Sequence, residues 1–146
     1  MLRLPILELG VFLMKLSLKS EYAFLALFEL AANSGKDLLK IENVASKYGI
    51  PAKFLEQILL QLKRAGIVKS RRGANGGYAL SKSPVHTKLA DVIRVLDGPL
   101  APVNSVSTYF YEHSPIEKIP KLRDLLLDIR NYTAWRLENF TLKDLL

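Results

Sequence analysis

Residues 39–80, LKIENVASKYGIPAKFLEQILLQLKRAGIVKSRRGANGGYAL, decide the fold. Ile41, Val44 and Ala45 stand at the i, i+3, i+4 spacing of one helical face, and Gly49 supplies a stop just past the helix C-terminus. Pro51 follows, its fixed φ suited to the first turn of a new helix. The pattern predicts a helix over about 41–48, a turn at Tyr48-Gly49-Ile50-Pro51, and a second helix from Pro51 to about Ala65-Gly66. At about 100° per residue, Phe54, Leu55, Ile58, Leu59, Leu62 and Ala65 fall on one side of that second helix. Lys53, Gln57, Leu60 and Arg64 cluster on the other, with Glu56 and Lys63 at the border. Such an outer face is either solvated or a contact surface. Leu60, apolar at its centre, speaks for contact, although one exposed leucine is ordinary.

The next residues decide between these readings. Ile67, Val68, Ser70 and Arg71 read as a strand and Tyr78, Ala79 and Leu80 as its return. The tip between them, Arg72-Gly73-Ala74-Asn75-Gly76-Gly77, contains Asn75-Gly76, a strong hairpin signal because both residue types accept positive φ. Gly73, Gly76 and Gly77 leave the tip free of bulk, so it can approach a phosphate backbone or a minor groove closely. Alternation along the ribbon predicts that one of Arg71 and Arg72 faces the core side and the other projects outward. A nucleotide-cradling loop is the competing reading. It lacks both the Lys-Ser/Thr that opens a helix in a P-loop and a G-x-G-x-x-G between strand and helix. Two helices, a tight turn and a basic glycine-rich ribbon outline a winged helix-turn-helix, whose second helix enters the major groove of DNA.

The charge distribution agrees. The chain has 146 residues and a net charge of +7. Residues 41–82 hold eight basic side chains (Lys47, Lys53, Lys63, Arg64, Lys69, Arg71, Arg72, Lys82) against two acidic ones (Glu42, Glu56), nearly the whole excess. From Ala101 onward the signs balance. A basic excess confined to one motif is the footprint of a phosphate-binding surface. The absence of cysteine excludes disulfides, thiolate nucleophiles and cysteine-held zinc or iron–sulfur centres. No apolar run approaches the ~20 residues of a membrane span, and no signal-peptide pattern appears, so the expected location is the cytoplasm. No serine–histidine–acid set, catalytic carboxylate pair or metal constellation supports an enzyme; His86 and His113 are the only histidines.

The remainder divides around this motif. Residues 1–13, MLRLPILELGVFL, form an apolar extension, and Met14 opens a second natural start. Ser17 is predicted to cap a first helix reaching about Asn33, apolar on nearly every face and so expected to be buried on every face, against a second element or a second subunit. Thr87 is expected to cap a fourth helix in which Leu89, Val92, Ile93 and Leu96 hold helical spacing, ended by Gly98-Pro99. Leu100–Ser114 reads as a loop. Lys121 to about Asn139 reads as a long helix with a seam of Leu122, Leu125, Leu126, Ile129, Tyr132, Thr133 and Leu137, and Trp135 nearby. Such a helix needs a partner, and the same helix of a second subunit is the economical one. Thr141 is expected to cap a terminal turn. The expected architecture is mainly α with a small β wing: an extension (1–13), a winged helix-turn-helix domain (14–99), and a loop with a dimerisation helix (100–146).

Six ordered blocks carry a resemblance over Met14 to the C-terminus: MKLS-x-K-x-E-Y-A (14–23), FLEQIL (54–59), LKRAGIV (62–68), RGANGGY-x-L (72–80), LADVIRVLDGPLAPV (89–103) and TLKDL (141–145). Together they resemble the Rrf-two family, bacterial winged-helix transcription regulators of the IscR, NsrR and CymR type. The resemblance implies a homodimer with crossed long helices on a pseudo-palindromic promoter site. It places Glu56 and Gln57 against bases and Arg72 in the minor groove. Those roles suit the chemistry, since glutamine pairs with adenine, glutamate accepts from cytosine, and arginine is drawn to a narrow minor groove. Lys53, Lys63, Arg64, Lys69 and Arg71 would then contact the backbone and set register.

Many relatives bind an iron–sulfur cluster through three cysteines after the GPLAPV segment. Here Ser105 stands at the first of those positions, and Glu21 stands where an acidic residue completes the cluster in nitric-oxide-sensing relatives. The resemblance therefore implies a cluster-free member with no cofactor, closer to the cysteine-metabolism repressors, whose signal is a small molecule in a pocket around residues 100–112 or a protein partner. The rival reading is a winged-helix module for protein or RNA contact.

Overall fold

The computed structural model describes residues 15–146, so the apolar extension at 1–13 lies outside the described residues. Five helices and one two-stranded ribbon follow in order: α1 (Leu18–Ala32), α2 (Ile41–Tyr48), α3 (Ala52–Arg64), β1 (Val68–Arg71), β2 (Gly77–Leu80), α4 (Leu89–Asp97) and α5 (Pro120–Glu138), with short 3₁₀ turns between and after them. The mainly helical architecture with a small β wing is as the sequence predicts.

The helix boundaries have local causes. The Ser17 hydroxyl accepts from the Ser20 amide at 3.1 Å and caps α1. Gly49 closes α2 in the left-handed region, at φ 64°. Pro51 sits at the N-cap of α3, one position before the helix proper. Thr87 does not cap α4. Its hydroxyl donates to the Ser83 carbonyl within the preceding turn, and Lys88 occupies the N-cap without a side-chain bond. In the sequence, a threonine before an apolar run cannot be told from one whose hydroxyl is already engaged upstream.

One continuous core joins α1, α2, α3, the ribbon and α4 around Leu27, Leu55, Ile58, Leu62, Val68 and Val92. Leu142, in the final turn, is fully buried in the same core. The Leu142 amide donates to the Thr87 carbonyl at 3.0 Å, and the Leu89 amide donates to Phe140 at 2.9 Å. Thr141 and Asp144 close a capping box there, as expected of Thr141. Helix α1 is not buried all round: Leu18 and Phe28 remain exposed. Along α5 only Ala134 is buried, beside Ala90, Ile93 and Leu100.

Candidate nucleic-acid interface

Helix α3 buries Leu55, Ile58, Leu59 and Leu62 and leaves Lys53, Glu56, Gln57, Leu60, Lys63 and Arg64 exposed. The burial follows the helical period, so the polar arc faces outward as a whole. Helix α2, which braces α3, is anchored to α1 by Glu29. That carboxylate accepts from Lys47 at 2.6 Å and from the Tyr48 hydroxyl. The bond from Lys47, then that from Tyr48, holds the Glu29 carboxyl below its usual range.

The ribbon pairs Val68 with Leu80, Lys69 with Ala79, Ser70 with Tyr78 and Arg71 with Gly77. Its tip corrects the expected turn. No residue other than glycine takes positive φ among the described residues; Gly73 (φ 104°) and Gly77 (φ 147°) do. The strands are joined by a five-residue loop, Arg72 to Gly76, closed by the Gly76 amide donating to the Gly73 carbonyl at 2.9 Å, and the positive φ suggested for Asn75-Gly76 falls at Gly73 and Gly77 instead. Gly76 is needed for closeness: a Cβ there would lie 2.1 Å from the Arg71 carbonyl oxygen. Gly77 is needed twice, for its φ and because a Cβ would meet the Leu39 carbonyl oxygen at 2.5 Å. Leu39 pairs with Tyr78 in a single antiparallel bridge, with amide–carbonyl bonds of 2.8 and 3.0 Å. That bridge ties the root of α2 to the wing.

The two wing arginines also depart from the expected alternation. Both are exposed, and Arg71 folds back to donate to the Asn75 carbonyl at 3.1 Å, bracing the loop. Arg72 makes no such bond within the hairpin and is the residue that projects.

A cleft of about 350 Å³ separates α3 from the wing, lined by Lys40, Leu60, Lys63, Arg71, Arg72 and Gly76 among others. Lys63 donates to Ser70 at 2.7 Å across its floor, linking helix to ribbon. Lys69 is not part of this group; with Lys36 and Lys82 it borders a separate groove under β2. Lys53, Glu56, Gln57 and Arg64 stand on the open face of α3 outside the cleft walls. Lys40 is a contributor that sequence reasoning missed, and the only signal was its place one residue before α2.

Downstream, a second concavity of about 410 Å³ lies between the start of α1, the end of α4 and the following loop, lined by Leu16, Ile93, Pro99, Pro102 and Val103, with Lys15, Asp97 and Asn104 polar. It meets the expected effector segment only at residues 101–104. Tyr109, Phe110 and Tyr111 stand exposed beyond it, and the Arg94 guanidinium lies 4.9 Å from the Tyr109 ring centre.

The donor set of this region does not fit an iron–sulfur cluster. The sequence holds no cysteine, and the Ser105 and Ser114 hydroxyls satisfy each other at 2.7 Å. Neutral hydroxyls do not replace thiolates as ligands to such clusters. Glu21 lies exposed on α1, and His86 is engaged with Ser83 at 2.8 Å. Among the described residues no group of three histidine or carboxylate side chains could hold a metal ion, and no helix is long and apolar enough to cross a membrane.

Comparison with known proteins places this geometry. The family model Rrf2, described as an iron-dependent transcriptional regulator, matches residues 16–146. The regulator CymR of Bacillus subtilis is 35% identical over 132 residues, covering 90% of this chain and 89% of that protein. An rrf2-like HTH-type regulator of Rhodobacter capsulatus is 43% identical over 97 residues, 64% of this chain and 65% of that protein. Among solved structures, that of CymR, the global cysteine regulator of B. subtilis, superposes with a TM-score of 0.78 over 90% of this chain and 95% of that one, at 35% identity. IscR of T. potens gives 0.67 over 90% and 85%, at 30% identity. The match spans every described element from α1 to the terminal turn, and the chain belongs to the Rrf2 family of transcriptional regulators.

Proposed function

We propose that the protein is a sequence-specific binder of double-stranded DNA that acts as a homodimer on a pseudo-palindromic operator, without an iron–sulfur cluster. One observation carries the reading: the polar arc of α3 and the projecting Arg72 flank a cleft walled by Lys40, Lys63 and Arg71. Lodged in the major groove, α3 offers Glu56 and Gln57 to base edges, and the phosphodiester chain runs along the cations of the cleft while Arg72 enters the adjacent minor groove. Lys53 and Arg64 extend the phosphate contacts along the helix. A dimer seated on a promoter acts most simply by excluding other proteins from it, which makes repression the expected mode. The cluster-free part rests on the donor set. Its check is a visible spectrum of anaerobically purified protein, in which cluster absorption would refute it.

The test is salt. On an operator selected from random duplex DNA, log affinity falls linearly with log salt, with a slope near −0.9 for each neutralised phosphate. Arg72→Ala weakens specific binding and relaxes base preference at the minor-groove position. A flat salt response, with Arg72→Ala binding as the wild type does, would leave protein contact as the better reading.

A further inference from the structure

The outer arc of α3 is polar or charged at every position except its centre. Taking Lys53 as the origin and about 100° per residue, Glu56 lies some 60° to one side and Gln57 about 40° to the other. Leu60 falls between them, one turn further on, almost opposite the buried Leu62. It is 44% exposed and belongs to neither hydrophobic cluster of the core. It helps to line the cleft in which Lys40, Lys63, Arg71 and Arg72 outnumber the one acidic residue, Glu42, with Ile41 and Tyr78 also in the lining. An apolar side chain set among mostly cationic and polar neighbours is a poor site for an apolar protein partner, which would have to strip water from each of them. It is a good site for a surface that offers negative charge around one small apolar group.

Duplex DNA offers that combination in one place. In the major groove the only apolar group on a base edge is the C5-methyl of thymine, set among hydrogen-bonding groups and flanked by phosphates. We propose that Leu60 is a specificity-determining residue that reads a thymine methyl in each half-site, beside the bases met by Glu56 and Gln57. The inference rests on the DNA-reading role of α3 and adds to it a base and an atom. Contact excludes water from both the methyl and the leucine Cδ atoms, which favours thymine over any base lacking that methyl.

The experiment uses the full-length chain and its selected operator, with each thymine replaced in turn by deoxyuridine, which deletes the methyl and leaves every hydrogen-bonding group in place. For the wild type, one such replacement per half-site is expected to weaken binding about three- to fivefold, the scale of one buried methyl. Leu60→Ala removes the discrimination at that position, and Leu60→Met keeps it. In both variants the base preference that depends on Gln57 stays as in the wild type, which shows that α3 is still seated. Methyl discrimination unchanged in Leu60→Ala, or no methyl-sensitive thymine in either half-site, overturns the proposal while leaving α3 as the reading helix. A chain that selects no duplex sequence at all overturns both.

Discussion

Asp97 shows how much one carboxylate holds together. It accepts from the Ser17 amide at 3.0 Å, the Ser17 hydroxyl at 2.5 Å and the Ser20 hydroxyl at 2.8 Å, so the end of α4 is fixed to the start of α1. Burial by itself would raise its pKa, but the bonds from Ser17 and then Ser20 outweigh it and the net shift is downward. A carboxyl depressed in the folded state stabilises the fold above its unfolded pKa, and that contribution is lost as pH falls through the folded value. Wild-type stability, measured by urea unfolding, is therefore expected to decline below about pH 5 more steeply than that of Asp97→Asn. At neutral pH the variant should be weaker by roughly 1.5–3 kcal/mol, the scale of hydrogen bonds to a charged group. Parallel pH curves would refute the assignment. The sequence shows Ser17 as a helix cap, because capping is local. It does not show that the same hydroxyl meets a partner 80 residues away.

At the scale of elements, the helices and the wing differ in what a sequence can tell. The 3.6-residue period of α3 and the Gly49 stop are set by neighbours along the chain, and both are found where that period and that glycine put them. The wing loop is shaped from outside. Leu39 reaches in from before α2 to pair with Tyr78, and Gly77 takes an extended left-handed conformation to make room for it. No local rule for Asn-Gly contains that contact, so the positive φ the dipeptide suggests falls at Gly73 and Gly77 instead. Gly77→Ala is thus expected to cost on the order of 1–3 kcal/mol in denaturant unfolding. It should also weaken DNA binding, since the root of the wing moves with Leu39. An Ala variant as stable as the wild type would show that the close approach is not obligatory. The outlying position of Lys69 has a similar origin. Burial of Val68 toward the core turns its neighbour out to the far side of the ribbon.

For the molecule as a whole, α5 is the element least used by its own chain. Nineteen residues long, about 28 Å at 1.5 Å per residue, it leaves Leu122, Leu125, Ile129 and Tyr132 exposed on one stripe, with Leu126 half-buried at its edge. Trp135 is exposed too but lies some 60° beyond Tyr132, on the outer side, where Arg136 sits over its ring. In the proposed dimer the stripe meets its copy. Ile129→Glu is then expected to give a monomer by light scattering, with helicity unchanged by circular dichroism, and an undisturbed dimer would rule out this stripe as the interface. Leu142→Ala tests the other attachment. Removing a fully buried leucine should cost about 2–5 kcal/mol of unfolding free energy, although Leu142 lies in the final turn. The backbone bonds from Leu142 to Thr87 and from Leu89 to Phe140 have a mechanical sense as well. They pin the far end of α5 to the segment leaving the wing, so the helix is a strut with a welded joint and not a trailing arm. Torque applied along it would reach the segment between the wing and α4. In the proposed dimer, a small change in how two struts cross would alter the spacing and tilt of the two reading heads.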